Sequence, residues 1–359
     1  MKSVYIHIPF CNTICSYCDF PKVYSNVCNK DLYLDSLKKE IQNNYKNEII
    51  NTIYIGGGTP SILSIKELEK LLEITNLLKK NDNIEFTIEC NVESIDEEKL
   101  KLLKKYNVNR ISIGIESFDK KIISYLNRFH TKKESIKKIK LVKKYFDNIN
   151  IDLMYAVPNQ SIKSLKKDIN TYLKLKIPHI SYYSLIIEPH TKLYNENTNY
   201  IDEDIDYKMY KIITKKLKKY HHYEISNFSF RGYESKHNLV YWNNEEYYGF
   251  GVGASGYING IRYNNTKNIH KYMSGNYKLE ETKLTELEKM QEEMFLGLRK
   301  LDGVNIENFE KKYHKKIEEV FDINDLLEKN ILVKKDGYMF INKDNIYTSN
   351  DIMIRFVGD

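Results

Sequence analysis

Three cysteines lie close together near the start of the chain, in the segment CNTICSYC. Cys11, Cys15 and Cys18 form a CxxxCxxC pattern that directly follows a β-rich run. Three thiolates can bind three irons of a [4Fe–4S] cluster and leave the fourth iron open to a small-molecule chelate. A structural zinc site is the alternative, and it would need a fourth ligand, for which Cys28 and His7 are the candidates. The spacing favours the cluster.

A second short segment, GGGTP at 56–60, follows the next β-rich run. Glycines let the backbone approach a ligand closely and expose its N–H and C=O groups. A tight turn without a ligand is the alternative interpretation. Because the segment follows a strand in the same chain as the cysteine pattern, we predict a loop that contacts a ligand.

The elements that must position these segments are strands and helices in alternation. The β-rich runs are 3–8, 52–56, 84–90, 110–115, 149–155 and 179–186. Strands that alternate with helices form parallel βαβ units, which predicts an α/β protein with an incomplete, TIM-like (β/α)6 barrel. In such barrels the chemistry collects on loops after the carboxyl ends of the strands. Both the cysteine and the glycine segments fall there.

Other patterns divide the chain further. Capping boxes predict three helix starts, at Ser64 with Glu67, at Ser94 with Glu97, and at Thr285 with Glu288. The run 331–342 predicts a hairpin with an Asp-Gly turn at 336–337. We therefore expect a partial barrel over 1–230, an aromatic and Gly-rich extension of it over 231–280, and a small helical and hairpin α/β module over 281–359.

The composition excludes some function classes. No run of about 18 apolar residues predicts a membrane span, and no signal-peptide pattern is present, so we expect a cytoplasmic protein. The net charge of +7 comes from 56 basic and 49 acidic residues, and the lysines are scattered among glutamates. This pattern predicts a solvated surface and no nucleic-acid partner. Five cysteines, three of them clustered, indicate a metal site in a reducing compartment rather than a disulfide framework.

Ten segments in chain order carry a resemblance to known proteins. They are YIHIPFCNTICSYCDF, GGGTP, RISIGIESF, LNRFH, DLMYAVPNQS, HISYYSLIIEPHT, YEISNF, HNLVYW, YYGFGVGASGY and MFLGLRKLDGV. Together they resemble the radical S-adenosylmethionine (SAM) superfamily, and within it the oxygen-independent coproporphyrinogen III dehydrogenase group with its haem chaperone branch. The resemblance covers nearly the whole chain. It implies a radical SAM barrel, a C-terminal module of the HemN type, a [4Fe–4S] cluster and SAM as cofactors.

The resemblance also implies roles for individual residues. Tyr5 matches a SAM contact, and Tyr17 matches a residue beside the cluster. The contacts to the methionine part of SAM are matched by Gly57, Gly58 and Thr59. The polar positions that hold SAM are matched by Glu89, Glu116, Arg128 and Asp152. Carboxylates can accept hydrogen bonds from ribose hydroxyls or the methionine ammonium, and an arginine can pair with the methionine carboxylate. Ordinary surface salt bridges are the alternative for the charged residues.

Four positions depart from the pattern of this group. Glu116 stands where glutamine is usual, which replaces an amide with a charge. Val92 replaces a proline, Asn127 replaces a glycine, and His190 stands where the sequence EPGT is usual. None of these changes removes a cluster ligand. We expect these changes to affect the geometry of bound SAM and not SAM binding itself.

The group contains two kinds of protein. The dehydrogenase oxidatively decarboxylates two propionates of coproporphyrinogen III to vinyl groups, whereas the haem chaperones bind haem and pass it to respiratory proteins. The dehydrogenase carries a further cysteine two residues after the third ligand, where this chain has Phe20, and a long extension before the cluster. We therefore predict a haem chaperone, keep the dehydrogenase as the alternative, and keep a radical SAM enzyme for another substrate as a third hypothesis.

The segment HNLVYW contains a candidate ligand for haem. His237 is a candidate axial haem ligand, with Tyr241 and Trp242 as apolar walls, and a purely structural histidine is the alternative. The expected partners are haem and a haem-accepting respiratory protein, at the membrane surface or elsewhere. A homodimer is left open. Cys28 and Cys90 are interpreted as ordinary thiols.

Overall fold

The computed structural model describes residues 1–357 and is built around one twelve-stranded sheet. Its first six strands correspond to the six predicted runs, and neighbouring members pair in parallel. They are β1 (Lys2–Ile8), β2 (Ile50–Gly57), β3 (Lys80–Asn91), β4 (Arg110–Glu116), β5 (Asn148–Tyr155) and β6 (His179–Ser184). The predicted α/β fold with an incomplete barrel is confirmed.

Further strands extend the sheet on both sides. Beyond β6 lie β7 (His221–Glu224) and β8 (Asn227–Ser229), and beyond β1 lie β9 (Tyr247–Phe250), β10 (Ser255–Ile258), β11 (Ile261–Asn265) and β12 (Lys278–Lys283). The order across the sheet is β12-β11-β10-β9-β1-β2-β3-β4-β5-β6-β8-β7. Strand β9 pairs in parallel with β1. The barrel therefore has a seventh parallel strand, which the sequence analysis did not assign because it is only four residues long.

Helices fill the connections and form most of the C-terminal region. They are α1 (Lys30–Asn44), α2 (Ile65–Ile74), α3 (Glu97–Lys105), α4 (Lys120–Tyr125), α5 (Lys132–Val142), α6 (Ile162–Leu175), α7 (Lys192–Asn195), α8 (Glu203–Lys216), α9 (Lys236–Trp242), α10 (Ile269–Met273), α11 (Glu286–Gly297), α12 (Ile306–Tyr313), α13 (Ile317–Val320), α14 (Asn324–Glu328) and α15 (Ser349–Met353). None of the helices in the described part of the chain has the length and apolar character needed to cross a bilayer.

The two faces of the parallel sheet differ in chemistry. Side chains alternate between the faces along each strand. On the outer face, aliphatic residues such as Ile88 and Ile151 are fully buried in one core with the leucines of the helices. The inner face carries polar side chains, among them Arg110, Glu89 and Asp152. A packed barrel fills this interior with valine, isoleucine and leucine, so the polar interior indicates a ligand site.

Side-chain caps begin the helices, but not always at the predicted residue. The capping boxes that start α2 and α11 are confirmed. The predicted box of Ser94 with Glu97 is wrong. Ser94 ends a short 3-10 turn, and Asp96 caps α3 by accepting a hydrogen bond from the N–H of Lys99 at 2.8 Å. Asp is as good an N-cap as Ser, so where two such residues lie two positions apart the backbone conformation decides which one caps the helix.

The C-terminal region has an apolar core of its own, which includes Met294, Phe309 and Met339. A three-stranded sheet of β13 (Val304–Asn305), β14 (Leu332–Lys335) and β15 (Tyr338–Ile341) lies beside its helices. Asp336 and Gly337 join β14 to β15, and both have positive φ, as a type I′ turn requires. The predicted hairpin is present.

One buried carboxylate joins α1 to the strands beyond β1. Glu40 is almost fully buried and accepts hydrogen bonds from the hydroxyl of Tyr272 at 2.5 Å, the N–H of Gly251 at 2.8 Å and the amide of Asn265 at 2.6 Å. Burial raises the pKa of Glu40 to about 7, although these donors oppose the shift. The contact fixes the 251–265 segment beside the first strand of the barrel.

Glu40→Gln tests this buried carboxylate. Because the folded pKa of Glu40 is raised from 4.5 to about 7, its part in stability is complete below pH 4.5 and is lost as the pH rises toward 7. We expect the free energy of unfolding of the wild type to fall relative to that of the variant between about pH 5 and about pH 8, by up to about 3 kcal/mol. Urea unfolding at a series of pH values measures this difference.

The exposed Glu98 of α3 provides the control. Glu98→Gln should give a stability profile parallel to that of the wild type. A Glu40→Gln profile that is also parallel would contradict the prediction.

Candidate functional site

The cysteine loop follows β1 and is held in shape by its backbone. Residues 10–11 pair with residues 23–24 as two short parallel strands. The N–H of Val23 donates to the carbonyl of Pro9 at 2.8 Å, and that of Ser25 donates to the carbonyl of Cys11 at 2.9 Å. The loop therefore closes on itself, with Cys11, Cys15 and Cys18 on the wall of one cavity of about 530 Å³.

Most of the predicted site residues line this same cavity. They are the three cysteines, Tyr17, Gly57, Gly58, Thr59, Glu89, Glu116, Arg128 and Asp152. These residues come from the cysteine loop, from the carboxyl ends of β2, β3, β4 and β5, and from the turn after α4. Because the strands are parallel, their carboxyl ends meet at one rim. The structure thus brings together residues that are up to 141 positions apart in the sequence (Cys11 to Asp152).

Hydrogen-bond donors approach two of the thiols. The Thr59 hydroxyl lies 3.8 Å from Cys11 Sγ, and Nη1 of Arg128 donates to Cys15 Sγ at 3.6 Å. Burial raises the pKa of the Cys11 thiol and raises that of Cys18 to about 11. A bound metal would supply the charge that keeps these thiols as thiolates.

The glycine segment lies against the cysteine loop. Gly57 has a φ of +115°, and a Cβ atom there would lie 2.4 Å from the His7 ring. A Cβ atom on Gly58 would lie 2.7 Å from the backbone of Pro9. Only glycine fits at these two positions. The N–H of Gly57 donates to Oε2 of Glu89 at 3.1 Å, so the strand-end carboxylate also orients the loop.

Glu89 is a half-buried carboxylate of the cavity wall and lies near other acidic groups. Its Oε1 accepts a hydrogen bond from the Tyr54 hydroxyl at 2.7 Å. Burial raises the pKa of Glu89 to about 7, and nearby Asp152 adds to the shift. Asp152 accepts hydrogen bonds from Asn150 at 2.8 Å and Ser112 at 3.1 Å, and burial raises its pKa too. These carboxyl groups can donate or accept a proton according to the ligand that meets them.

Arg128 is the charged centre of the opposite wall. Its Nη2 donates to the carbonyl of Gly114 at 2.6 Å and to Oδ1 of Asn91 at 3.0 Å. Its Nη1 lies 3.5 Å from Oε1 of Glu116, whose other oxygen accepts a hydrogen bond from Tyr183 at 2.9 Å. Burial raises the pKa of Glu116, whereas the guanidinium of Arg128 lowers it. This buried pair can bind a ligand that carries both a positive and a negative group.

Tyr5 does not reach the cavity wall. Nε2 of His7 donates to the carbonyl of Pro21 at 2.7 Å, and Nδ1 therefore accepts from the Tyr5 hydroxyl at 2.9 Å. The Tyr5 ring stacks on Tyr54, with ring centroids 6.3 Å apart. Tyr54 does line the cavity, so Tyr5 contacts the site only through its neighbours in this arrangement.

His237 also lies away from the cysteines, inside the barrel on α9. Its ring nitrogens lie 2.7 Å from the Thr52 hydroxyl and 2.8 Å from the Tyr241 hydroxyl, and its ring stacks on Tyr54. Its backbone N–H donates to Glu85 of β3 at 3.0 Å. Burial lowers the pKa of His237 to about 3, so the ring is neutral. Neither ring nitrogen is free for iron here, and ligation of haem would require both hydrogen bonds to break.

The positions of His7 and Cys28 test the alternative of a structural zinc site with one of them as the fourth ligand. Both nitrogens of His7 are engaged, and burial lowers its pKa to about 4. Cys28 is absent from the walls of the cavity. Within residues 1–357, no three Cys, His, Asp or Glu side chains converge closely enough to hold one metal ion. A cluster that carries its irons at separate corners does not need its thiolates to converge on one point.

Several cavity residues were missed by sequence reasoning. Asn91 and Tyr183 contact Arg128 and Glu116, and Tyr54 contacts Glu89. The signal that could have found them is the period of two along a strand. Asn91 follows Glu89 by two positions and so shares its face. Cys90, which falls between them, also borders the cavity.

Two family models match parts of this chain. A model of the radical SAM superfamily matches residues 5–171, and a model of the HemN C-terminal domain matches residues 284–343. The heme chaperone HemW of Lactococcus lactis is 40% identical over all of this chain and 98% of its own length. That of Bacillus subtilis is 38% identical over the full length of both.

Among solved structures, coproporphyrinogen III oxidase (HemN) from Escherichia coli superposes with a TM-score of 0.87. The superposition covers 99% of this chain and 89% of that one, at 19% identity. At that identity the match establishes the fold alone.

Cys15→Ala tests the three-thiol site. We expect the purified variant, reconstituted anaerobically with iron and sulfide, to lose the cluster absorbance completely, because one corner of the cluster would lack its ligand. Cys28→Ala is the matched control, since this thiol lies outside the cavity, and it should retain the absorbance. A Cys15→Ala protein that loads as well as the control would show that the ligands are misassigned.

Proposed function

Because the chain belongs to the HemW family of the radical SAM superfamily, we propose that it binds haem and passes it to a haem-accepting respiratory protein. The observation that carries this proposal is the extent of the similarity. Relatives named heme chaperone HemW align with the entire chain, including the C-terminal module. Similarity confined to the barrel would support only a shared cofactor.

The family implies a [4Fe–4S] cluster and SAM, and the cavity fits both. Cys11, Cys15 and Cys18 would hold three irons. At about 530 Å³ the cavity is within the usual range for a small-molecule site. When bound, a reduced cluster with SAM supplies one-electron chemistry.

The remaining wall residues supply the contacts that SAM needs. We assign Gly57, Gly58 and Thr59 to its methionine part, since they line the cavity beside the cysteine loop. Arg128 would pair with a carboxylate, and the acidic wall of Glu89 and Asp152 would accept hydrogen bonds from hydroxyl or ammonium groups. Tyr17 closes the cavity beside the cysteines.

The dehydrogenase remains the competing function. Its support in the structure is the fold, which this chain shares with HemN at low sequence identity. Against it stands Phe20, a largely exposed apolar side chain at the cavity wall, in place of the further cysteine. His237 we assign to holding α9 against β2 and β3 rather than to haem ligation, because both of its ring nitrogens are engaged.

Parallel assays on one preparation separate the two functions. We expect haem titrated into cluster-loaded protein to give a saturable change in the Soret absorbance, and the haem to move to an apo haem protein of the respiratory chain. With coproporphyrinogen III, SAM and a reductant, no vinyl porphyrin should form. A titration without any spectral change would remove the chaperone proposal, and clear turnover would favour the dehydrogenase.

Glu116→Gln tests the charged pair in the SAM site. In the structure the Glu116 carboxylate lies 3.5 Å from Arg128 and so competes with any ligand carboxylate for that guanidinium. Removal of its charge should tighten SAM binding roughly fivefold, or about 1 kcal/mol. Isothermal titration of the cluster-loaded protein with SAM measures the change.

Glu188→Gln is the matched control, because Glu188 borders the same cavity and makes no ion pair with Arg128. It should change SAM affinity by less than about twofold. Weaker binding by Glu116→Gln would mean that the carboxylate contacts SAM directly.

A further inference from the structure

A second cavity lies inside the barrel and adjoins the cysteine-lined one. Its volume is about 240 Å³, and it is separate from the thiols. The two cavities share the wall residues Tyr54, Asp152, Tyr183, Ser226 and Arg299. We call it the inner cavity. None of the residues that the resemblance assigned to the cluster or SAM lines it except Asp152.

Arg110 is a buried cation in the wall of the inner cavity. It stands at the start of β4, is 2% exposed, and is one of the largest fully buried side chains of the protein. Its Nε–H has no hydrogen-bond partner among the described residues. The ion pairs that arginines make in residues 1–357 involve Arg128, Arg262 and Arg355. Arg110 thus has neither a salt bridge nor a partner for Nε–H, which is costly in a protein interior.

Two further donors face the same space. The guanidinium of Arg299 lies over the Trp242 ring at 4.4 Å from its centroid. Nε of Arg299 and Nε1 of Trp242 also have no hydrogen-bond partner in the described part of the chain. Burial lowers the pKa of Arg299, as expected for a cation drawn out of water, and the partial opposing effect of Glu224 does not cancel it.

The walls of the inner cavity include residues of two segments that the resemblance left without an assigned role in cluster or SAM binding. Asn238 and Trp242 belong to HNLVYW, and Arg299 belongs to MFLGLRKLDGV. Helix α9 therefore turns its asparagine and tryptophan toward the inner cavity, whereas its histidine is held by Thr52 and Tyr241.

Two carboxylates also border the cavity, and both are already engaged. Asp152 accepts from Asn150 and Ser112, and Glu224 accepts from the amide of Asn227. Burial raises the pKa of both carboxyl groups, which favours their neutral forms over the charged ones. Among the described residues, the unpartnered polar side-chain atoms of the cavity wall are then three donors, on Arg110, Arg299 and Trp242, and one acceptor, Oδ1 of Asn227.

We propose that the inner cavity is a binding subsite for a carboxylate group, held by Arg110 and Arg299 with Trp242 Nε1 as a further donor. A carboxylate offers two oxygens in one plane, which matches the fork of a guanidinium in a way that a halide does not. The volume suits a short carboxylate-bearing arm or a small free acid. This subsite goes beyond haem transfer, because it would bind a free carboxylate whether or not haem is the cargo.

Trp242 makes the proposal directly testable, because it is the only tryptophan in the chain. Sodium propionate is titrated into the cluster-loaded protein at constant ionic strength, with sodium chloride replaced by propionate. We expect a saturable change in tryptophan fluorescence, excited where tyrosine does not absorb. In Arg110→Met the apparent affinity should fall at least about tenfold, since a charge-assisted bidentate contact is lost.

Arg231→Met is the matched control, because Arg231 is exposed and lies outside the cavity, and it should bind propionate like the wild type. If Arg110→Met fails to fold, as judged by circular dichroism, the half-buried Arg299 is changed to Met instead and the same loss is expected. A wild-type titration without a saturable change, or equal affinities for the wild type and the folded arginine variant, would overturn the proposal.

Two more titrations identify the source of the carboxylate. If a haem propionate is the natural occupant, haem will prevent the propionate response, and haem dimethyl ester will not. If a free small acid is the occupant, propionate will bind equally well with haem present. Absence of haem binding would count against the proposed function and leave the propionate result intact.

Discussion

Glu116 and Arg128 are buried and Glu89 and Asp152 are half-buried in the wall of the cysteine-lined cavity, and hydrogen bonds to neighbouring elements hold them there. The single side chain of Arg128 contacts the carbonyl of Gly114, the side chains of Asn91 and Glu116, and the thiol of Cys15. Groups of this kind are stable in a protein interior only when they are paired or when a ligand completes them. The positions of the cysteine loop, the glycine loop and the strand ends all follow from keeping these charges satisfied.

Burial of apolar side chains on the outer face of the sheet offsets the free-energy cost of burying polar groups in the interior. Isoleucine, leucine and phenylalanine from the strands and helices form one continuous buried core on that side. Each fully buried aliphatic side chain contributes about 1.5 to 3 kcal/mol relative to its exposed state. A strand with isoleucine on one face and a charged residue on the other can thus build both the scaffold and the site. The glycines at 57 and 58 then let one loop approach the next without a side chain between them.

The segment over 231–280 completes the barrel from the opposite edge. Strand β9 lies beside β1, and the buried Glu40 fixes the turn that follows β9. Helix α9 lies inside the barrel, with its first N–H groups on Glu85. Its Asn238 and Trp242 line the smaller, donor-rich cavity, which adjoins the cysteine-lined cavity through wall residues that the two share. The HNLVYW segment is in this way part of the architecture of the interior and not of its open end.

Local signals were sufficient for much of this protein. The six parallel strands, two of the three capping boxes, the Asp-Gly hairpin and the cysteine and glycine loops could all be predicted, because each depends on residues a few positions apart. Resemblance to a known family added the strand-end residues, and eleven of the thirteen named site residues do line one cavity (all but Tyr5 and His237). The capping error at α3 shows the limit of such signals, because Ser94 and Asp96 both suit an N-cap and local pattern does not decide between them.

What the sequence determined by itself is therefore the six parallel strands, two of the helix starts, the Asp-Gly hairpin and the spacing of the three cysteines. Only the tertiary structure decided that β9 joins β1, that Glu40 is buried, that His237 uses both ring nitrogens, and that Arg110 and Arg299 face the same space. The physical reason is that these facts depend on residues far apart in the sequence, up to 244 positions for the pairing of Ser3 with Tyr247. Such contacts form only when the whole sheet is assembled, and no local sequence pattern predicts them.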